Sequence, residues 1–188
     1  MKTPPILLLS AVVISGILAA CTSGPALPLP TVTHVDLSRY AGKWYEVARL
    51  PNPFQRDDSN ATAEYSVQQD GKVRVINTEY RPDGSTHVAE GSATAVEDGS
   101  NSRLRVKFKG LAALAPVPKG GNYWIIRLES DYSTVMVGTP NRKYLWILSR
   151  QPFPPQAVMA KYLRAAEVLG FDTGKLRRAA WKNGTPTT

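Results

Sequence analysis

The chain is poor in the residues from which reactive centres are built. Its 188 residues hold one cysteine, Cys21, and two histidines, His34 and His87. A single cysteine excludes an intrachain disulfide framework and a multi-cysteine zinc site. Two histidines leave little for a histidine-rich metal centre, so neither a metal nor a cofactor is expected. Glycine-rich phosphate loops are also missing. No block of five or six basic residues occurs, although Lys plus Arg number 23 against 15 Asp plus Glu, a formal charge of +8. Charge scattered in this way argues against a nucleic-acid partner. The apolar run at residues 6–20 falls short of the ~20 residues that a membrane-spanning helix needs.

What is present begins with that run. Lys2 precedes it, small residues Ala19 and Ala20 end it, and Cys21 follows; no charge lies between Lys2 and Asp36. The pattern predicts a secretory signal over 1–20. With the only cysteine at this place, it resembles the lipobox of bacterial lipoproteins, which implies that Cys21 is lipidated and becomes the new N-terminus. An ordinary signal with an incidental cysteine is the blander alternative. Residues 21–34, with Pro25, Pro28 and Pro30, then read as an extended tether. Thr22 is not the Asp that commonly retains lipoproteins at the inner membrane. The resemblance therefore implies a bacterial outer-membrane location, lipid-anchored and facing the periplasm.

Beyond the tether, apolar residues make up 43% of the chain, enough for a packed core. Turn chemistry punctuates the chain at short intervals: Pro51-Asn52-Pro53, Asp70-Gly71, Pro82-Asp83-Gly84, Asp98-Gly99, Pro140-Asn141. Between these breakers lie runs of period-two alternation at 45–50, 61–68, 72–81, 86–96, 103–109, 122–128, 134–138 and 144–150. They predict eight antiparallel strands joined by hairpin-sized connections. An all-β, up-and-down eight-stranded barrel removes exposed edges and leaves room for one small ligand. A flat sandwich competes, but only 110–121 is long enough for a crossover. After Pro152, Pro154 and Pro155, residues 156–169 place Met159, Tyr162, Leu163, Ala166 and Leu169 at helical spacing. Gly170 stands at a helix C-cap. One helix should pack on the barrel wall, closing a domain at 35–174 ahead of a basic tail at 175–188.

In such a barrel, alternate connections share an end, so Trp44, the Asp131-Tyr132 turn and Arg150 meet. A guanidinium over an indole is a favourable pair. These residues carry a resemblance to the lipocalin family. Its three motifs correspond to Gly42-Lys43-Trp44-Tyr45-Glu46, to Asp131-Tyr132 leading to Val137, and to Tyr144 through Arg150. Within the family the chain is most similar to bacterial outer-membrane lipocalins and to apolipoprotein D. The latter usually holds disulfides, which this chain cannot form.

The resemblance implies a carrier for a hydrophobic ligand, a fatty acid such as palmitate or a lysophospholipid, with Tyr65, Asn77, Tyr123 and Trp146 lining the pocket. Strand parity adds Val106 and Phe108 to the inner face, with Leu104, while Arg103, Arg105, Lys107 and Lys109 face water. Parity also places Trp44, Glu46 and Ala48 inside. Arg81, with Arg56, Lys119, Arg142 and Lys143, falls near open-end connections and suits a carboxylate or phosphate headgroup. The uncharged loop at 111–115 suits a lipid tail or a membrane. Lipocalins that catalyse use an inward cysteine, which is absent once Cys21 is lipidated, so an enzyme is not expected. The competing class is an envelope lipoprotein acting as a structural scaffold; a homodimer is left open.

Overall fold

The computed structural model describes residues 28–110, 116–182 and 185–186. The expected signal, Cys21, the start of the tether and the loop at 111–115 lie outside the described residues. A short helix α1 (Leu37–Tyr40) leads into strands β1 (Gly42–Arg49), β2 (Asn60–Val67), β3 (Val73–Tyr80), β4 (Thr86–Ala95), β5 (Arg103–Phe108), β6 (Tyr123–Leu128), β7 (Thr134–Gly138) and β8 (Leu145–Ser149). Helix α2 (Gln156–Val168) follows. Then come a 3₁₀ turn and three two-residue strands, β9 (Arg177–Arg178), β10 (Trp181–Lys182) and β11 (Thr185–Pro186).

Each of β2 to β7 pairs antiparallel with the next strand, and β1 closes the ring by pairing with both β2 and β8. The sandwich is thereby excluded. The strands fall where period-two alternation placed them, apart from their ends. The largest shift is at β1, which starts at Gly42 because Gly42 and Lys43 still pair with Tyr65 and Glu64 of β2. The β5–β6 seam is short, with Arg103 opposite Trp124 and Leu104 opposite Tyr123. Beyond it the Asn122 side chain continues the ladder: its Oδ1 accepts from Val106 N at 2.8 Å and its Nδ2 donates to Val106 O at 3.0 Å. Backbone groups left without a strand partner are in this way still satisfied.

Two apolar layers follow from the pleat. The inner one gathers Trp44, Ala63, Tyr65, Val73, Val75, Ala93, Leu104, Val106, Ile125, Val135, Val137 and Leu148. The outer one holds Met136, Leu145 and Ile147 against Tyr162 and Ala166 of α2, with Met159, Leu163 and Leu169 packed alongside. β7, expected to alternate, is instead buried on both faces for this reason. The helix ends at Gly170, whose φ of +82° suits a residue without Cβ, and Phe171 N donates back to Ala166 O at 3.0 Å.

The closed end is built around Arg150. Its guanidinium carbon lies 3.8 Å from the centroid of the Trp44 ring, which is 0% exposed. The fork donates to Arg39 O, Tyr40 O and Ala41 O from Nη2, to Lys43 O from Nη1 and to Tyr132 O from Nε, at 2.8 to 3.3 Å. Carbonyls at the end of α1, the start of β1 and the β6–β7 turn therefore converge on one cation. Trp44 Nε1 also donates to Tyr40 O at 2.9 Å. Gly42 has φ +92°, and a Cβ there would come within 3.3 Å of Arg150 Nη1, so glycine fits both the turn and the approach. Asp36 caps α1 by accepting from Ser38 N and Arg39 N.

Replacing Arg150 by Met keeps most of the side-chain volume but leaves these carbonyls without their shared donor. We expect a loss of about 3 kcal/mol in urea unfolding. Arg150→Lys should recover less than half of it, because one ammonium cannot reach carbonyls spread over a planar fork. A loss below about 0.5 kcal/mol would mean that other contacts hold this end.

Candidate functional site

With one end stoppered, the barrel interior ends on the other side at the 50–59, 81–85 and 139–144 connections. Near its floor three tyrosines meet. Tyr123 OH lies 2.6 Å from Tyr40 OH and 3.0 Å from Tyr65 OH. Burial raises all three phenols, Tyr65 to about 12, so they stay neutral and satisfy one another. Tyr65 belongs to the inner cluster and Tyr123 packs against it, and their hydroxyls already have partners within the protein. Val106 is in the inner cluster, with Phe108 and Trp146 packed against it half-buried. Asn77 stands on β3 opposite Ala63 and Ala89, and its Oδ1 is buried without a hydrogen-bond partner.

Higher in the cup, one extra residue in β1 changes what faces inward. Glu46 pairs with Leu148 of β8, but the next partner, Ile147, belongs to Ala48, so Val47 is a bulge. Val47, Ala48 and Leu50 consequently join the outer cluster beneath α2. This corrects the expectation that Ala48 faces inside. It also turns Arg49, register partner of the inward Trp146, into the lumen, where the residue is 1% exposed. Arg49 Nε lies 3.2 Å from Glu46 Oε1, and Glu46 is 4% exposed.

The 50–59 connection folds over this pair and is tied down by carboxylates and by Arg49. Gln55 Nε2 donates to Glu46 Oε1 at 3.1 Å, and Arg49 Nη2 donates to Arg56 O. Arg56 N and Ser59 Oγ both donate to Glu79 Oε1 at 2.8 Å. At the loop's tip Phe54, 69% exposed, packs edge-on to Tyr144 with centroids 5.4 Å apart. Burial, outweighing Arg49 and Gln55, raises the Glu46 carboxyl to about 7. Glu79 goes the other way: burial opposes its charge, but hydrogen bonds from Arg56 N, Ser59 and Arg81 prevail and hold it below the usual range.

Of the cations expected to meet a headgroup, Arg81 donates from Nε and Nη2 to Glu79 Oε2 at 3.1 and 3.0 Å, and Arg56 is paired with Asp58. Arg142 Nε donates to Leu169 O at the end of α2, and Lys143 lies over the Tyr144 ring. Arg49 and Glu79 were missed. Glu79 was legible, being two residues from Asn77 on one strand face; Arg49 was not, because the bulge leaves no apolar signature. Trp181 was missed too. Its Nε1 donates to Glu46 O at 2.7 Å and its ring packs edge-on to Tyr45 and Tyr80. Together with β9, which pairs with Ala48 and Arg49, it fills the seam where β1 leaves β2.

An open groove of about 860 Å³, lined by Lys72, Arg74, Glu90, Lys107 and Phe108 among others, also lies along β2 to β5. Its Lys72, Arg74 and Lys109 are matched by Asp70 and Glu90. The lumen, by contrast, holds buried polar atoms without partners, and it is the better candidate. Among the described residues no group of His, Cys, Asp and Glu is placed to hold a metal ion.

A Glu46 raised to about 7 binds its proton more tightly folded than unfolded, so its contribution to stability is lost as pH rises through 7. Glu46→Gln removes that dependence. Relative to the natural protein, the variant should gain on the order of 3 kcal/mol between pH 4 and pH 8, read from urea midpoints at each pH. A constant difference would place the Glu46 titration elsewhere.

Residues 35–181 match the model of a lipocalin-like domain. The outer membrane lipoprotein Blc of Vibrio cholerae is 37% identical over 172 residues, covering 90% of this chain and 94% of that one. The Blc protein of Escherichia coli K12 is 36% identical over 170 residues, covering 89% and 92%. Apolipoprotein D of Cavia porcellus is 33% identical over 141 residues, covering 72% and 70%. Insecticyanin of the tobacco hornworm Manduca sexta superposes with a TM-score of 0.64 at 19% identity, covering 87% of this chain and 89% of its own. The one-ended barrel, the Arg150–Trp44 stopper, the flanking helix and these matches agree: the chain belongs to the lipocalin family.

Proposed function

We propose that this lipocalin is a membrane-anchored binding protein that carries or stores one hydrophobic ligand in its lumen, a fatty acid or a lysophospholipid. The single observation that supports the reading is the one-ended barrel: aromatic and aliphatic side chains make up its inner face, Arg150 over Trp44 seals its floor, and a few polar groups lie toward the other end. A mostly apolar site with sparse polar handles suits a ligand that is chiefly hydrocarbon. Tyr65, Asn77, Val106, Phe108, Tyr123 and Trp146 are the proposed lining, with Tyr65 and Tyr123 as floor and Phe108 and Trp146 as walls. Arg81, tied to Glu79, serves the mouth rather than the ligand.

The anchor is proposed to be Cys21, lipidated after removal of 1–20, and the location the outer membrane, facing the periplasm. The relatives named outer membrane lipoproteins support this part. Several acyl chains on one residue hold firmly, since each buried CH₂ contributes ~0.8 kcal/mol. Binding, not catalysis, is the activity proposed.

Displacement of a fluorescent fatty acid from the purified protein tests the reading. Palmitate and a palmitoyl lysophospholipid should each displace the probe at micromolar concentration. Absence of displacement at every chain length would favour the scaffold alternative. In the same strain, Cys21→Ser should move the chain from the membrane fraction to the soluble periplasm; retention in the membrane would remove the anchor.

A further inference from the structure

Arg49 is the feature of the lumen that the fold itself leaves unexplained. A buried guanidinium ordinarily has its donors matched, since an unmatched one is costly to desolvate. Here Nη2 donates to Arg56 O, but Nε and Nη1 complete no hydrogen bond. Glu46 Oε1 stands 3.2 Å from Nε as a buried ion pair, and Asp57 Oδ1 is 3.7 Å from Nη1, too far for a hydrogen bond. The residue is 1% exposed, and the Val47 bulge aims it at the same face as Trp146. Two of the arginines of the mouth are held by carboxylates: Arg56 by Asp58, and Arg81 by Glu79.

We propose that Arg49 is the headgroup anchor of the lumen, receiving the anionic oxygens of a single-chain amphiphile on its unmatched Nε and Nη1 while Glu46 gives up the pair and takes a proton. The inference deepens the reading of the cup as a hydrophobic-ligand site and rests on it. It assigns the ligand's polar end to a carboxylate or phosphate, and it moves selectivity from the exposed arginines to a buried one. The position is consistent with an amphiphile. Arg49 stands above the apolar inner cluster and below the 50–59 loop, so a chain with its tail toward the tyrosine floor brings its head to this level. The loop is coupled to the same event, because the guanidinium that meets the ligand also holds the Arg56 carbonyl.

The proton balance follows from the neighbours. Facing Glu46 are Arg49 and Gln55, which favour its charge, and Glu79 of β3, which opposes it. Facing Arg49 are Glu46 and Asp57, the latter shared with Arg177 of β9. When an anion takes Arg49, Glu46 loses its largest stabilising charge while burial persists, so its affinity for a proton rises. One proton is taken up by Glu46 as the anion binds, and binding weakens as pH rises above 7.

The test holds the chain constant and changes the head. Displacement by palmitate, hexadecyl phosphate and hexadecanol is measured on the natural protein, on Arg49→Met and on the double variant Glu46→Gln/Arg49→Met, which leaves neither charge buried. Arg49→Met should weaken at least one of the two anions roughly 10- to 100-fold, while hexadecanol stays within about twofold. Whichever anion responds identifies the source of the headgroup. The double variant guards against misfolding: it should bind hexadecanol normally and show the same anion loss. Calorimetry in buffers of differing ionisation enthalpy should report proton uptake with palmitate at pH 7.5, absent in Glu46→Gln. Equal losses for all three ligands, or none for either anion, would overturn the role of Arg49 while leaving the lumen as the site. Failure of the natural protein to bind any of the three would overturn the hydrophobic-ligand reading as well.

Discussion

One cation stacked on one indole decides what kind of object this barrel is. Strands closed into a ring have no free edges, but a ring still has two ends. Arg150 gathers carbonyls from α1, β1 and the β6–β7 turn onto a single planar fork above Trp44, and so removes one of them. The arrangement works because the guanidinium keeps five donors in fixed directions and is weakly hydrated enough to sit on an aromatic face. Apart from the tyrosine hydroxyls near the floor and Asn77, the polar groups of the lumen, Glu46, Arg49 and Glu79, lie toward the opposite end.

At that end stability and function draw on the same groups. The Val47 bulge places a charged pair, Glu46 and Arg49, inside a wall that is otherwise apolar. Such a pair is weak evidence for stability, because desolvation offsets most of the attraction. What it does is connect three things that would otherwise be independent: the ionisation of Glu46, the placement of the 50–59 loop through Gln55 and Arg56, and the polar end of the lumen. The seam beside it is closed by the chain's own tail. Trp181 and β9 occupy the gap where β1 leaves β2, and Asn60 grips Ala180 through both its backbone groups at 2.7 and 2.8 Å.

Much of this was legible in the residues alone. Alternation such as Leu104, Val106 and Phe108 between Arg103, Arg105, Lys107 and Lys109 marks a strand with one wet face, because the pleat has period two. The meeting of Trp44 with Arg150 follows from counting connections around a closed sheet. Helix α2 follows from its spacing and its terminal glycine. The candidate site was less legible, for a definite reason. Val47 and Ala48 are both small and apolar, so an inserted residue between Glu46 and Ala48 leaves the hydropathy pattern intact while reversing every side chain after it. Parity therefore sent Ala48 inside and Arg49 out, the opposite of what the barrel does. The pairing of Arg81 and Arg56 with nearby carboxylates was equally hidden, since whether a surface charge is engaged depends on the path of the 50–59 loop. Trp181 lay in a segment with no periodicity, and only its docking against Glu46 gives it a place.

As proposed, the barrel holds one amphiphile at a time. Native mass spectrometry of the full chain, extracted from its own membrane with a mild detergent, addresses this most directly. The expected spectrum shows the mass of the lipidated chain plus a single additional lipid, released on activation and identified as a fatty acid or lysophospholipid. A spectrum showing only the bare lipidated chain, unchanged after incubation with palmitate and a lysophospholipid, would contradict it.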